Sequence, residues 1–334
     1  MSMSLWLSLR RFELMCAIFG VLDFKGRLSP AQRRWLFQRL ADAAQIRGTD
    51  ASGVAYVQNG SIKIQKAPRP ACKMKWRLDP SARYLMGHTR MTTQGKASKN
   101  YNNHPFYGKA GGQAFALAHN GVIYNDAALR DSYHLPDTQI ETDSYIAVQL
   151  LEKQGVLSVE GLKQMAEALR GSFTISVLDS SNTMYFIKGD NPLSIRLFPQ
   201  LGCYLYASTN EILGQALIGL GLSKTSQADI PIRQGDIMTI DARGQRAVSR
   251  FDDSQFLPRR YFFGWGWPQP RASFQPDDYL EAVLSYAQRH GVPDRELRLL
   301  LDAGYDIFDV EQLIYDPELR ERCIREVMAD FGVC

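Results

Sequence analysis

Cys16-Ala17-Ile18-Phe19-Gly20-Val21-Leu22 is a short apolar run that opens on a cysteine and ends near the turn residue Gly26. A run of this length bounded by a turn signal reads as a buried strand. The cysteine at its head has two readings. A free cysteine packs as a small hydrophobe in most cores. The same thiol is intrinsically nucleophilic once it loses its proton.

Outward from this run, strands and turns dominate to about Ile240. Ser29-Pro30 opens a helical pattern over residues 30–46, with Trp35, Leu36, Leu40, Ala43 and Ala44 at helical spacing. Residues 54–58 and 61–65 flank Asn59-Gly60, the strongest hairpin signal in the chain. Residues 114–118, 174–178, 184–188, 203–207 and 236–240 also read as strands, and 144–152, 159–169 and 210–218 as helices.

Beyond Asp252 the character changes. Residues 261–267 are aromatic and Gly-rich, followed by Pro268 and Pro270, which reads as a linker with a packing anchor. Asp277 or Asp278 then caps a helix carrying Tyr279, Leu280, Val283, Leu284 and Ala287. Pro293-Asp294 opens a second, through Leu301, and residues 317–331 give a third with Leu319, Cys323, Ile324, Val327 and Met328. The charge changes in the same place. The 334 residues carry 39 basic and 35 acidic side chains, net +4. From Asp252 onward there are 16 acidic and 9 basic residues, all of the latter Arg, against 19 acidic and 30 basic before it. A basic body and an acidic helical tail are expected.

Hydrophobic residues at 45% and charged residues at 22% exclude a mainly disordered chain. No apolar run reaches the ~18 residues of a spanning helix, and +4 is too small a charge to argue for nucleic acid. Cys16, Cys72, Cys203, Cys323 and Cys334 are scattered and contain no C-x-x-C pair, so neither a disulfide framework nor a structural zinc is expected. A reducing, cytoplasmic setting follows. The apolar stretch at residues 5–9 precedes Arg10-Arg11, the reverse of a secretory signal, so export is not expected. Five scattered histidines give no case for a metal, and no cofactor is expected.

Five clusters carry potential chemistry: Cys16-Ala-Ile-Phe-Gly, Arg47-Gly-Thr-Asp-Ala-Ser-Gly, Gly87-His-Thr-Arg-Met-Thr-Thr-Gln-Gly, His119-Asn-Gly-Val-Ile-Tyr-Asn and Glu141-Thr-Asp-Ser. Each alone is ordinary. Asn-Gly usually marks a turn, and an Arg in a Gly-flanked loop usually faces solvent. Together and in this order, over roughly residues 16–240, they resemble the class II glutamine amidotransferases among the N-terminal-nucleophile hydrolases. The His88-Thr-Arg90 segment and Asn103-His104-Pro105 are most similar to the glutaminase domain of glutamine:fructose-6-phosphate amidotransferase.

The resemblance implies an α+β fold, a four-layer αββα sandwich, here over residues 16–251, with a linker and helical tail over 252–334. It implies that Cys16 attacks the side-chain amide of L-glutamine, passing through a thioester to glutamate and ammonia. Asn120 and Gly121 would form the oxyanion hole, Arg90 would clamp the substrate α-carboxylate and Asp143 its α-ammonium. Thr93 and Gln94 would line the pocket, while Arg47, Asp50 and His104 support it. His88 and His119 are expected to hold loops by hydrogen bonds.

The chemistry is coherent. A cation and an anion at opposite ends of a slot select a zwitterionic amino acid. Two aimed donors suit the oxygen of a tetrahedral intermediate. A free α-amine on the nucleophile, with a pKa of about 7.7–8.0, suits a base near neutral pH. That role requires Cys16 to be the first residue, yet residues 1–15 precede it. Synthesis starting at Met15, a removable propeptide, or a retained extension on a silent glutamine-binding module are the three readings.

Met91 and Gln94 stand where the fructose-6-phosphate enzyme has Trp and His. The acceptor is therefore open. The residues after Phe251 are too few for the synthase domain that multidomain relatives append, and they contain no phosphate-binding glycine loop. A separate synthase subunit or ammonia acceptor is the expected partner. Hydrolysis of other γ-glutamyl amides is the competing enzymatic reading.

Overall fold

The computed structural model describes residues 16–219 and 226–256, and parts of 280–330. The aromatic anchor at 261–267, the helix cap at Asp277 or Asp278 and residues 1–15 lie outside the described residues.

Among the described residues, thirteen strands pair into two antiparallel sheets. In chain order they are β1 (Ala17–Leu22), β2 (Ala51–Gln58), β3 (Ser61–Ala67), β4 (Tyr84–Arg90), β5 (Phe106–Ala110), β6 (Gln113–Ile123), β7 (Gly171–Asp179), β8 (Met184–Lys188), β9 (Ser194–Phe198), β10 (Cys203–Ala207), β11 (Ala228–Ile230), β12 (Asp236–Ile240) and β13 (Arg246–Arg250). The first sheet runs β11-β9-β10-β1-β4-β2-β3 and the second β13-β12-β8-β7-β6-β5. The helices of this body are α1 (Pro30–Ala44), α2 (Asp126–Ser132), α3 (Tyr145–Gln154), α4 (Val159–Ala168) and α5 (Asn210–Leu217).

Side-chain alternation builds the layers. Ala17, Phe19 and Val21 of β1 point to a core shared with Leu36, Phe37 and Leu40 of α1 and Ile212 and Leu213 of α5. Ile18 and Leu22 point the other way, to a core shared with Ala116, Ala118, Leu178 and Phe186 of the second sheet. Phe115, Leu117, Phe173 and Ile175 face a third core, formed with Ile146, Leu150, Leu162 and Met165 of α3 and α4. Three cores between four layers make the αββα sandwich. Because β1 is buried on both faces, it has no polar alternation, and its apolar run was legible as a strand.

Local signals explain several elements. Ser29 caps α1 by accepting from the Gln32 N–H at 3.2 Å, and Gln32 Oε1 accepts from the Ser29 N–H at 2.7 Å, a capping box. Asn59 and Gly60 have φ of 50° and 69°, the two positive values that a tight hairpin turn requires. On α1 the expected apolar face was off by part of a turn. Trp35 is 51% exposed, and Phe37 and Ala41 take the inward positions.

Just beyond β1, Asp23 accepts from the Arg27 and Leu28 N–H groups and pairs with Arg33 of α1 at 3.0 Å. Both side chains are buried. Arg33 also donates to the carbonyls of Leu28 and Pro80, each at 2.5 Å. This network ties the far end of the Cys16 strand to the start of α1.

The chain separates into two units between Phe256 and Leu257. Phe251 and Phe256 both pack on Phe173, so the body extends a few residues past β13. The second unit contains α6 (Asp294–Asp302) and α7 (Pro317–Asp330), which pack on each other. Arg320 of α7 pairs with Glu296 of α6 at 3.1 Å and donates to Leu313 O at 2.8 Å. Met328, expected on the buried face of α7, is 39% exposed. Among the described residues, no helix is long and apolar enough to cross a membrane.

Candidate active site

Cys16 stands directly before β1, partly buried. Its carbonyl accepts from Arg47 Nε at 3.0 Å, and its thiol donates to Met91 O at 3.4 Å. Arg47 comes from the turn that follows α1 and is 1% exposed. Burial lowers the Arg47 pKa to about 10, while the nearby Cys16 favours its charge. Gly48 lets this turn approach β4, since a Cβ there would meet the Arg90 carbonyl carbon and the Met91 nitrogen at 2.5 Å.

The charges around the sulfur come from three separate segments. Burial pushes the Cys16 thiol above its ordinary pKa. The Met91 backbone and the cations Arg90 and Arg47 pull it down, and Asp143 pushes it further up. The protonated thiol is therefore the resting form, and a nearby base is needed to activate it.

Arg90 closes β4 and is 3% exposed, contrary to the usual fate of an Arg in a Gly-flanked segment. Its guanidinium donates to Asn103 Oδ1 at 2.6 Å, Gln94 O at 2.5 Å and Gly95 O at 3.2 Å. It thereby shapes the 91–95 loop, which carries Thr93 and Gln94, both partly buried. Asp50 anchors the same loop from below. Its N–H donates to Arg90 O at 3.0 Å, and its carboxylate accepts from Thr92 N–H at 2.7 Å. Burial lowers the Arg90 pKa, and Cys16, Asp143, Asp50 and Glu141 oppose that shift.

Asp143 precedes α3 and is 3% exposed. Its carboxylate accepts from Ile123 N–H at 2.6 Å and from the Ser144 hydroxyl at 3.4 Å. Burial raises its pKa, and these hydrogen bonds and Arg90 hold it down. Ser144 Oγ lies 2.8 Å from His119 Nδ1, so the carboxylate is held through a short polar chain.

Asn120 and Gly121 do not form a turn. They lie inside β6, opposite Thr174 and Phe173 of β7. The partner strand, about fifty residues away, overrides the local preference of the pair. Gly121 has φ of +129°, and a Cβ there would sit 1.8 Å from Ser172 O. No other residue fits that bend. Asn191 supports it by donating to Asn120 O at 3.3 Å and Ser172 Oγ at 2.8 Å. The Asn120 side chain is wholly buried, with Nδ2 2.6 Å from Ser208 Oγ and Oδ1 without a partner.

Three buried histidines back this region. His88 Nε2 lies 3.1 Å from His119 O, a hydrogen bond that crosses between the sheets. The His104 ring packs at a tilt on His88 and Phe106, with centroids 4.2 and 4.4 Å away, and Arg90 and Lys66 act on its charge. Burial lowers the pKa of His88 to about 3 and of His119 to about 4, and takes that of His104 well down. An unfolded chain binds protons on these rings near pH 6.5 and the folded one does not. Their contribution to stability is thus complete above about pH 6.5 and declines as pH falls towards 4. Thermal unfolding should show Tm dropping through that window. A constant Tm from pH 7 to 4.5 would contradict neutral, buried rings.

The structure brings together Cys16, Arg47, Arg90 and Asp143, with Gln94 held on Arg90. Sequence reading missed Asn103 as the partner of Arg90, although it lay within a quoted motif. It also missed Ser144 and Ser208, which reach their partners only through the fold. Among the described residues no cluster of His, Cys, Asp or Glu suits a metal ion.

Residues 88–213 match the family described as "Glutamine amidotransferase domain". The chain is 30% identical over 192 residues to glutamine--fructose-6-phosphate aminotransferase [isomerizing] of Geobacillus kaustophilus (strain HTA426), covering 55% of this chain and 30% of that protein. It is 32% identical over 184 residues to the protein of that name from Bacillus thuringiensis subsp. konkukian (strain 97-27), covering 53% of this chain and 30% of that one. The chain thus spans about a third of the length of the curated relatives it matches. In structure it is similar to the glutamine phosphoribosylpyrophosphate amidotransferase from B. subtilis complexed with ADP and GMP, with a TM-score of 0.55 and 18% identity. That alignment covers 71% of this chain and 49% of the other, and at this identity it speaks for the fold.

Proposed function

The chain carries a class II glutamine amidotransferase domain, and from that premise we propose that it hydrolyses L-glutamine through a thioester on Cys16. The observation that carries the proposal is the meeting of the Cys16 sulfur with Arg90, Arg47 and Asp143.

In this reading the active form begins at Cys16. Its free α-amine takes the thiol proton, and the thiolate attacks the side-chain carbonyl carbon of glutamine. The oxygen becomes negative and rests on Asn120 and on the Gly121 N–H. Collapse of the intermediate breaks the C–N bond, and the ammonium returns its proton to the departing nitrogen, which leaves as ammonia. Water then gives a proton to the amine and adds to the thioester carbon. Glutamate departs, and the thiol is restored.

Arg90 receives the α-carboxylate and Asp143 the α-ammonium. Arg90 already donates to three protein oxygens, so substrate binding competes with the 94–95 carbonyls and couples to the shape of that loop. Thr93 and Gln94 line the pocket, while Arg47, Asp50 and His104 keep the frame. Ammonia leaves the site for an acceptor. Cys16, Cys72 and Cys203 form no disulfide, which supports a reducing, cytoplasmic setting.

Incubation of a Cys16-first chain with glutamine should yield glutamate and ammonia in equal amounts. Added hydroxylamine should divert part of the glutamate to γ-glutamyl hydroxamate, because it competes with water for a thioester. Ammonia release without any hydroxamate would overturn the covalent route, and no ammonia at all would overturn the reaction.

A further inference from the structure

Ser208 is wholly buried just after β10, on the sheet that carries Cys16. Its N–H donates to Ile18 O at 2.9 Å, and its Oγ accepts from Ile18 N–H at 2.9 Å. Ile18 is two residues from the nucleophile. Across the space between the sheets, the same Oγ lies 2.6 Å from the Asn120 side-chain amide, 88 residues away in sequence.

Three observations bear on that amide. The 2.6 Å separation suits either end of the amide against the hydroxyl, since N–H···O bonds of that length occur elsewhere in the fold, as from Gln149 Nε2 to Pro136 O. Ile18 O already accepts the Ser208 N–H, so it does not depend on the Ser208 hydroxyl proton, 3.2 Å away. With Nδ2 towards Ser208, Oδ1 is buried without a protein partner, and either amide group placed there leaves its hydrogen-bonding capacity to a bound molecule. Turning the amide by half a revolution exchanges Oδ1 and Nδ2 in the same space. Ser208 O–H then donates to Oδ1, and both Nδ2 hydrogens lie at the other end.

We propose that Ser208 is a positioning residue for the oxyanion hole. Its hydroxyl fixes Asn120 with the NH2 group presented to the reacting carbonyl and ties that amide to the strand bearing Cys16. The proposal rests on the glutamine-hydrolysis reading above. A carbonyl oxygen presented to the developing oxyanion would repel it, whereas an NH2 group donates to it. Without the hydroxyl nothing selects between the two orientations.

The test uses the full chain beginning at Cys16. Ser208→Ala should lower kcat for glutamine by about 10–100-fold with KM nearly unchanged, somewhat less than outright loss of an oxyanion donor. Ser208→Thr, which keeps the hydroxyl, should recover most of the rate. Glutamate γ-semialdehyde supplies a readout that a purely structural role would not move. Its aldehyde carbon bonds to the Cys16 sulfur, and the thiol proton passes to the former carbonyl oxygen, giving a stable tetrahedral adduct. Its affinity should fall by the same factor as kcat while that of glutamate stays constant.

Wild-type chain that releases no glutamate would remove the underlying reaction. Active wild type with Ser208→Ala within about twofold in kcat would remove only the positioning role. Equal weakening of semialdehyde and glutamate would remove it as well. If Ser208→Ala does not fold, Ser208→Cys, similar in size but a weak donor, takes its place with the same criteria.

Discussion

A chain that begins at Cys16 is expected to turn over glutamine, the same chain with one residue before Cys16 should be slower by about 10²–10⁴-fold, and Cys16→Ala should have no turnover. The size of the effect follows from the lack of another suitable base near Cys16 among the described residues. Burial keeps the Cys16 thiol protonated at rest. His88 and His119 are poor proton acceptors, at about 3 and 4, and are engaged with His119 O and Ser144. The Asp143 carboxylate is occupied by Ile123 N–H and Ser144. An α-amine, with its ordinary pKa of about 7.7–8.0, fills the gap, and an amide nitrogen at that position cannot. The rate of the Cys16-first chain should therefore fall as pH drops below the amine pKa and the base becomes protonated. Measuring kcat/KM for glutamine from pH 6 to 9 with the two N-termini checks both statements. Equal activity with a preceding residue in place would reject the amine as base.

The second large effect concerns stability. Asp23→Ala should cost about 3–5 kcal/mol, because it leaves the buried Arg33 guanidinium without its counter-charge and frees the Arg27 and Leu28 N–H groups. The double variant Asp23→Leu with Arg33→Met removes both charges and should cost less than the single change. Denaturant midpoints at a common slope would measure the difference. A cost for Asp23→Ala below about 1 kcal/mol would mean that the pair is solvated, as exposed pairs are.

What could be seen in the sequence was what neighbours decide. Asn59-Gly60 turns because two adjacent residues accept positive φ, and Ser29 and Gln32 cap a helix within one turn. β1 declared itself because burial on both faces leaves no polar residue in the run. The resemblance supplied Cys16, Arg90 and Asp143, and the fold gathers them. What could not be seen depends on distant partners. Asn120-Gly121 lies in a strand because β7 pairs with it, and Arg90 is buried because Asn103 and the 94–95 carbonyls accept its hydrogens. Nothing near Ser208 in the chain points to Ile18 or Asn120.

The hydrogen bonds from His88 to His119 O and between Ser208 and Asn120 act as dowels between the two sheets. An apolar interface such as that of Ile18, Met86, Ala116, Leu178 and Phe186 tolerates volume-conserving exchange and loses uniqueness before it loses stability. Alignment near Cys16 is then aided by these directional contacts, as it is at the β12–β13 turn by the Tyr84 and Tyr204 hydroxyls, and cohesion comes from the grease around them. A redesigner could exchange much of that grease and keep the two halves of the site in register, provided that both dowels stay in place.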